Sequence, residues 1–290
     1  MSIPMETIKA DTELEGAGFR WRGGREGVRV IACAPLEEEG FPNAFSTRAG
    51  GVSPFPSGAL NLAGFDQDTA ENIGENRRRF ISALGGGWTL AACWQVHGRE
   101  VRVVRAGEEA ASEDARCDAL TTNLAGVLLA VKTADCVPVV FGDPSTGACA
   151  AVHAGWRGTL AEIVPRALAR MREEFGADVS RVRAAVGPAA LGCCYEVGAE
   201  VVEPFRAKFA DADSLFTATR EGHALVDLHE ANRRQLIESG VAPERIHLLP
   251  LCTMCRTDLF FSHRREGGLQ GRTGRLLSAI GLRRGGQAAD

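Results

Sequence analysis

Three short segments of this chain place a metal-competent side chain beside glycine, proline or charge at the end of an apolar run. They are Trp94-Gln95-Val96-His97-Gly98, Thr133-Ala134-Asp135-Cys136-Val137-Pro138 and Val152-His153-Ala154-Gly155-Trp156-Arg157-Gly158. Strand ends next to loops are where a scaffold can hold a reactive group and leave it reachable. Imidazole and thiolate are preferred zinc ligands, and two histidines with one cysteine leave a fourth tetrahedral position open, as in catalytic sites. A water in that position has its pKa lowered to about 7. The intervals of 39 and 17 residues between His97, Cys136 and His153 match no local metal motif. From spacing alone, Cys136 reads equally as a small buried hydrophobe, with the histidines as hydrogen-bonded spectators. Asp135, next to the thiol, is a proton shuttle, an orienting partner of a ligand or a turn cap.

The remaining candidates are weaker. His223, His229 and His247 lie in helix or strand contexts and read as structural or surface residues. His263 precedes Arg264 and Arg265, whose guanidinium forks suit phosphate but also suit a solvated charge cluster. Cys252-Thr253-Met254-Cys255 is a lone CxxC with no second pair following it, which leaves a closed zinc site unsupported. Cys193 and Cys194 are adjacent and cannot bridge each other without strain. Gly155-Trp156-Arg157-Gly158 precedes a helix and could present backbone N–H groups to an anion. Ser46-Thr47-Arg48-Ala49-Gly50-Gly51 is a second glycine-rich loop carrying a basic residue.

The elements that must position these residues can be sketched from patterning. Apolar runs predict strands at 28–33, 100–104, 127–131, 137–141, 148–153, 182–186 and 245–249. The turn chemistry of Gly142-Asp143-Pro144-Ser145-Thr146-Gly147 joins 137–141 and 148–153 as a hairpin. Residues 159–175 carry a helical apolar stripe, with Thr159 and Glu162 as a capping box and Pro165 as a source of a kink. A second helix spans 227–239, capped by Asp227 and Glu230 and stopped by Gly240. Residues 72–84 and 199–209 are further helix candidates. Hairpins mixed with helices predict an α+β or mixed α/β fold rather than a doubly wound sheet.

The chain has 290 residues, is 45% hydrophobic and 24% charged, and needs no staples to bury a core. Its 33 basic and 37 acidic residues, net charge −4, argue against a broad nucleic-acid footprint. No apolar run reaches the roughly 20 residues that span a bilayer. No basic segment followed by an apolar one marks a secretory signal. Nine cysteines without framework spacing then favour reduced thiols in the cytoplasm. Residues 1–27 read as peripheral, 28–280 as one catalytic domain and 281–290 as a frayed tail. The oligomeric state is left open.

Taken in order, the motifs resemble one family. They are Phe45–Ser53, Leu60-Asn61-Leu62, Gln95–Gly98, Asp118–Leu120, Thr133–Pro138, His153–Gly158, Gly187-Pro188, Cys194–Val197, Cys252-Thr253 and Phe261–Arg265. This pattern is similar to the YfiH-like family, named historically for polyphenol oxidase (laccase) and later described as purine nucleoside phosphorylases. The resemblance implies a single α+β domain with mixed β-sheets flanked by helices. It also implies zinc held by His97, Cys136 and His153; Cys136, His153 and Asp135 are taken here as the catalytic residues. It further implies phosphorolysis of adenosine, inosine and S-methyl-5′-thioadenosine, with adenosine deamination alongside. Arg48, Asn61 and Arg264 are carried over as contacts to nucleoside or phosphate.

The laccase name can be tested on composition. A mononuclear copper plus a trinuclear cluster takes about ten histidines, since imidazole is the natural ligand. Six histidines and no His-x-His pair speak against that centre, although copper remains compatible with the single site. Three alternatives stay open. One is a thiol hydrolase with Cys136 as nucleophile and His153 as base. Another is an editing hydrolase of peptidoglycan precursors, and the last is a non-catalytic protein whose metal is structural.

Overall fold

Each long strand of this protein has apolar residues of both parities, which requires cover on both faces. The computed structural model describes residues 12–64, 67–106, 113–267 and 271–283 and meets that requirement with four layers. In chain order the strands are β1 (Phe19–Gly23), β2 (Arg29–Cys33), β3 (Asn43–Ser46), β4 (Ala49–Pro54), β5 (Ser57–Ala59), β6 (Thr89–Ala91), β7 (Val101–Val103), β8 (Ala119–Thr122) and β9 (Val127–Thr133). They continue as β10 (Val137–Asp143), β11 (Ala148–Ala154), β12 (Arg183–Val186), β13 (Glu196–Gly198), β14 (Phe216–Arg220), β15 (His223–Val226), β16 (Ile246–Leu248) and β17 (Leu276–Gly281). The helices are α1 (Ala34–Glu38), α2 (Ala70–Ala83), α3 (Trp156–Leu160), α4 (Ile163–Phe175), α5 (Ala199–Lys208) and α6 (Leu228–Glu238).

One six-stranded sheet runs β1-β2-β3-β17-β9-β6 and a second runs β16-β12-β10-β11-β8-β7. Both contain parallel and antiparallel pairs. Residues of one parity on each sheet, such as Leu129, Val131 and Ile280 against Val140, Cys149 and Ala151, meet in a shared central core. The opposite parity of the second sheet (Val139, Phe141, Val152) packs on α4, α5 and α6. The opposite parity of the first sheet (Val30, Leu128, Ala130) packs on Phe80 and Ala83 of α2. Mixed sheets flanked by helices are therefore the architecture. No helix among the described residues is long and apolar enough to cross a membrane.

The expected hairpin is β10 and β11, in register from Val137 opposite Ala154 to Asp143 opposite Ala148. Its turn is tied by the Asp143 carboxylate, which accepts from Ser145 N at 2.8 Å, Thr146 Oγ1 at 2.9 Å and Asp178 N at 3.0 Å. Helix α6 starts as its sequence predicts, with Asp227 Oδ1 accepting from Glu230 N at 2.9 Å.

Three expectations need correction. The helix predicted over 159–175 is two helices, broken at Glu162, which sits at φ 58°. Thr159 caps nothing, because α6 claims it: Asn232 donates to its hydroxyl at 3.1 Å and Gln235 to its carbonyl at 2.8 Å. Pro165 then falls in the first turn of α4, where no intrahelical N–H donor is needed, so it causes no kink. Residues 1–27 are not uniformly peripheral. Leu14 and Phe19 are buried in the central core, and β1 is the edge strand, pairing Phe19 with Cys33 through Gly23 with Arg29. Its solvent-facing side made the segment look polar. At the other end Gly281 is buried in β17 and Leu282 bridges Ala125, so the strand outlasts the predicted start of the tail. Residues 284–290 lie outside the described residues.

Candidate metal centre

Cys136 and His153 are neighbours because of the hairpin. Cys136 immediately precedes β10, and His153 lies opposite Pro138, one pair from its open end. His153 has the parity of Cys149 and Ala151, so it faces the layer between the two sheets. His97 arrives from the connection between β6 and β7. Candidate ligand atoms of His97, Cys136 and His153 lie within 4.8 Å of one another. The two imidazoles stand nearly perpendicular, 4.9 Å between centroids. His97 is exposed, Cys136 half-buried and His153 buried.

Asp118 organises this cluster, and the sequence reading gave it no role. It is fully buried at the start of β8. Its Oδ1 takes the Nδ1–H of His153 at 2.8 Å and the backbone N–H of His97 at 2.9 Å. Its Oδ2 accepts from Gly98 N at 2.7 Å and Val96 N at 3.2 Å. A carboxylate on Nδ1 sets the tautomer that leaves Nε2 free for the cluster. One buried side chain thus positions both histidines. The signal for it was the Asp118-Ala119-Leu120 motif itself, a charge at the start of an apolar strand.

The electrostatics are tightly coupled. Burial pushes the Cys136 thiol up, but the charge of His153 and hydrogen bonds from both histidines bring it down to about 6. Burial pushes His153 down, yet the Cys136 thiolate and Asp118 raise it to about 9. Burial also raises the Asp118 carboxyl, and its bonds from His153 and from the amides of Gly98 and Val96 bring it below the usual carboxylate range. A thiolate beside an oriented imidazolium results.

The backbone is strained where the chemistry sits. His97 has φ 57° and Asp135 has φ 89°, both in the left-handed region. Asp135 is held there by three bonds. Thr253 Oγ1 donates to its Oδ1 at 2.7 Å, Arg264 N to its Oδ2 at 2.6 Å, and Ala190 N to its carbonyl at 2.9 Å. Both carboxylate oxygens are engaged and the residue is 9% exposed, so Asp135 ties the Cys136 loop to Thr253, Ala190 and Arg264. Gly155 is required for space, since a Cβ there would lie 3.0 Å from Cys136 Sγ and 3.3 Å from His97 Cδ2. Gln95 fastens the His97 loop to β9, donating to Lys132 O at 2.8 Å and accepting from Lys132 N at 2.7 Å.

The carried-over substrate contacts divide. Asn61 is fully buried; its amide donates to Asp68 at 3.2 Å and its carbonyl accepts from Arg275 N at 2.8 Å. It orders the loops between β5 and α2. Arg48 is paired with Glu266 at 2.8 Å and donates to Thr257 O at 2.5 Å. It lines a cavity of about 650 Å³ with Phe55, Phe261 and Arg272, and none of the three metal-competent residues borders that cavity. Arg264 is exposed, packs over the Tyr195 ring at 5.0 Å and donates to Glu196 O at 2.9 Å. Its backbone bond to Asp135 brings it to the Cys136 loop.

His229 is buried and its Nε2 pairs with Gly187 O at 2.6 Å. His247 pairs with Arg183 at 3.1 Å. Neither these nor His223 and His263 join the cluster. Two of the six histidines are thus at the cluster, too few for a trinuclear copper centre.

A fold of two stacked mixed sheets with a His, Cys, His cluster at one end defines the class, and comparison with known proteins agrees. Residues 42–283 match the profile of the family described as multi-copper polyphenol oxidoreductase laccase. A purine nucleoside phosphorylase of Deinococcus radiodurans is 42% identical over 252 residues, covering 86% of this chain and 92% of that protein. The purine nucleoside phosphorylase YlmD of Geobacillus stearothermophilus is 35% identical over 263 residues, 87% of this chain and 94% of that one. The crystal structure of YlmD from that organism superposes with a TM-score of 0.82 at 34% identity, covering 91% and 99% of the two chains. That of the Bacillus licheniformis hypothetical protein YfiH gives 0.81 at 31% identity, covering 91% and 99%. The chain belongs to this laccase-like YfiH/YlmD family.

Proposed function

We propose that this chain is a metal-dependent purine nucleoside phosphorylase whose ion is held by His97, Cys136 and His153. The observation that carries the proposal is the convergence of these three side chains, with one imidazole already oriented by Asp118. The support for the reaction is that relatives across almost the whole chain bear that name. Two nitrogens and a thiolate suit zinc, with copper as the competing ion. Among the described residues no fourth His, Cys or carboxylate completes the set, as in a catalytic site. When bound, such an ion supplies a Lewis acid and a route to a nucleophile at neutral pH.

The chain's own residues supply the rest. Asp118 holds His153 in the Nδ1–H tautomer. Asp135 holds the Cys136 loop and the backbone of Arg264 in one arrangement. The exposed Arg264, whose backbone N–H bonds Asp135 beside Cys136, binds phosphate as it approaches ribose C1′. Arg48 is neutralised by Glu266 and braces the wall instead. The substrates are adenosine, inosine and S-methyl-5′-thioadenosine, with deamination of adenosine as a side activity.

A second reading has an observation of its own. Cys136, His153 and Asp118 are ordered as nucleophile, base and orienting carboxylate, the arrangement of a thiol hydrolase. His97→Ala separates the two. With adenosine plus phosphate, we expect adenine and ribose 1-phosphate from the wild type. The variant is expected to lose the ion and to fall by about 100-fold or more in kcat/KM. Retained turnover without metal would overturn the metal reading in favour of the dyad.

A further inference from the structure

The sequence shows one CxxC without a mate, and the fold supplies the mate. Cys193 and Cys194, in the turn between β12 and β13, meet Cys252 and Cys255, with candidate ligand atoms all within 4.8 Å of one another. Cys193 Sγ lies 3.7 Å from both Cys194 Sγ and Cys255 Sγ, and Cys194 Sγ lies 3.1 Å from Cys255 Sγ. Zinc–thiolate bonds of about 2.3 Å in a tetrahedron put sulfurs about 3.8 Å apart. The two 3.7 Å separations match such a cage. None of these three separations is near the roughly 2.05 Å of a disulfide.

Burial as small hydrophobes accounts for only one of them. Cys252 is buried in a satellite core with Ala190 and Met254, whereas Cys193 and Cys255 are exposed and Cys194 is half-buried. Two exposed thiols at this surface contribute little packing. Leu191 N donates to Cys252 Sγ at 3.5 Å.

We propose that Cys193, Cys194, Cys252 and Cys255 form a second, closed metal site for a thiophilic divalent ion such as zinc. Four protein ligands leave no open position, so its role is structural. It joins the segment around 187–196 to the segment around 249–267. These two segments supply all three partners that hold Asp135: Ala190 from the first, Thr253 and Arg264 from the second. A metal staple there fixes the wall that carries Tyr195 and Arg264 beside the first site. The proposal is independent of the reaction assigned to that first site.

The test is metal stoichiometry by elemental analysis on the full chain, reduced and reconstituted with zinc, together with cobalt substitution. Wild type is expected to hold about two ions per chain, and His97→Ala and Cys252→Ser/Cys255→Ser about one each. Cobalt in His97→Ala is expected to show the intense visible bands and thiolate charge transfer of an all-sulfur tetrahedral site. That variant keeps the four cysteines intact, so the test survives if the double serine variant fails to fold. His97→Ala protein that binds no ion, or cobalt there without thiolate charge transfer, would sink the second site. So would a thiol count of seven instead of nine in the unreduced, denatured wild-type chain, since two would then be in a disulfide. If the first site held no ion, wild type and His97→Ala would each hold about one, and the four-cysteine site would stand.

Discussion

At the scale of single residues, the cluster depends on a carboxylate that touches no ligand position. Asp118 fixes the His153 ring and the His97 backbone from one buried point. Replacing it by Asn keeps the size but offers an amide N–H to Nδ1 and weakens the acceptance of three backbone donors. Partners of this kind typically cost 10–100-fold in metal affinity when changed. Asp118→Asn is expected to weaken zinc binding by about that factor in competition with a chromophoric chelator, with the fold retained by circular dichroism. Affinity within twofold of wild type would show that the histidines need no such support.

At the scale of elements, α6 does more than cover the second sheet. Its Asn232 and Gln235 take the polar groups of Thr159 and end α3, while His229 docks on the Gly187 carbonyl where the 187–196 segment leaves β12. Burial lowers the His229 pKa from its ordinary 6.5, with the Gly187 bond and Asp227 opposing. The folded state therefore holds the neutral ring and the unfolded chain takes up the proton first. Stability from this residue is fully present above pH 6.5 and is lost as pH falls toward the folded value. One proton of difference gives a slope of at most about 1.4 kcal/mol per pH unit. Urea unfolding from pH 7.5 to 5 is expected to fall more steeply for wild type than for His229→Gln. Parallel curves for the two proteins would mean that His229 ionises freely in the fold.

At the scale of the whole molecule, the two sheets share one core that begins with the N-terminal strand. Phe19 is 1% exposed and meets Phe45 edge-to-face at 6.1 Å between centroids. Truncating a core Phe to Ala typically costs about 3–5 kcal/mol. Phe19→Ala is expected to lower unfolding free energy by about that amount in urea denaturation. A loss below about 0.5 kcal/mol, the range of ordinary surface changes, would return the segment to the periphery that its polar composition suggested.

Local chemistry was legible in the letters. The β10–β11 hairpin follows from apolar runs around a turn of Asp, Pro, Ser, Thr and Gly, and α6 follows from its cap and stop, because these depend on neighbours in sequence. That hairpin also brings Cys136 and His153 together, so two of the three metal-competent residues were within reach of sequence reasoning alone. What sequence distance cannot convey is which loops meet when two sheets stack. That packing delivered His97, seated Asp118 beneath both histidines, gave the lone CxxC its partners at Cys193 and Cys194, and buried Asn61. Thr159 shows the same competition in reverse, since a cap written in the local sequence yielded to hydrogen bonds offered by a helix some seventy residues away.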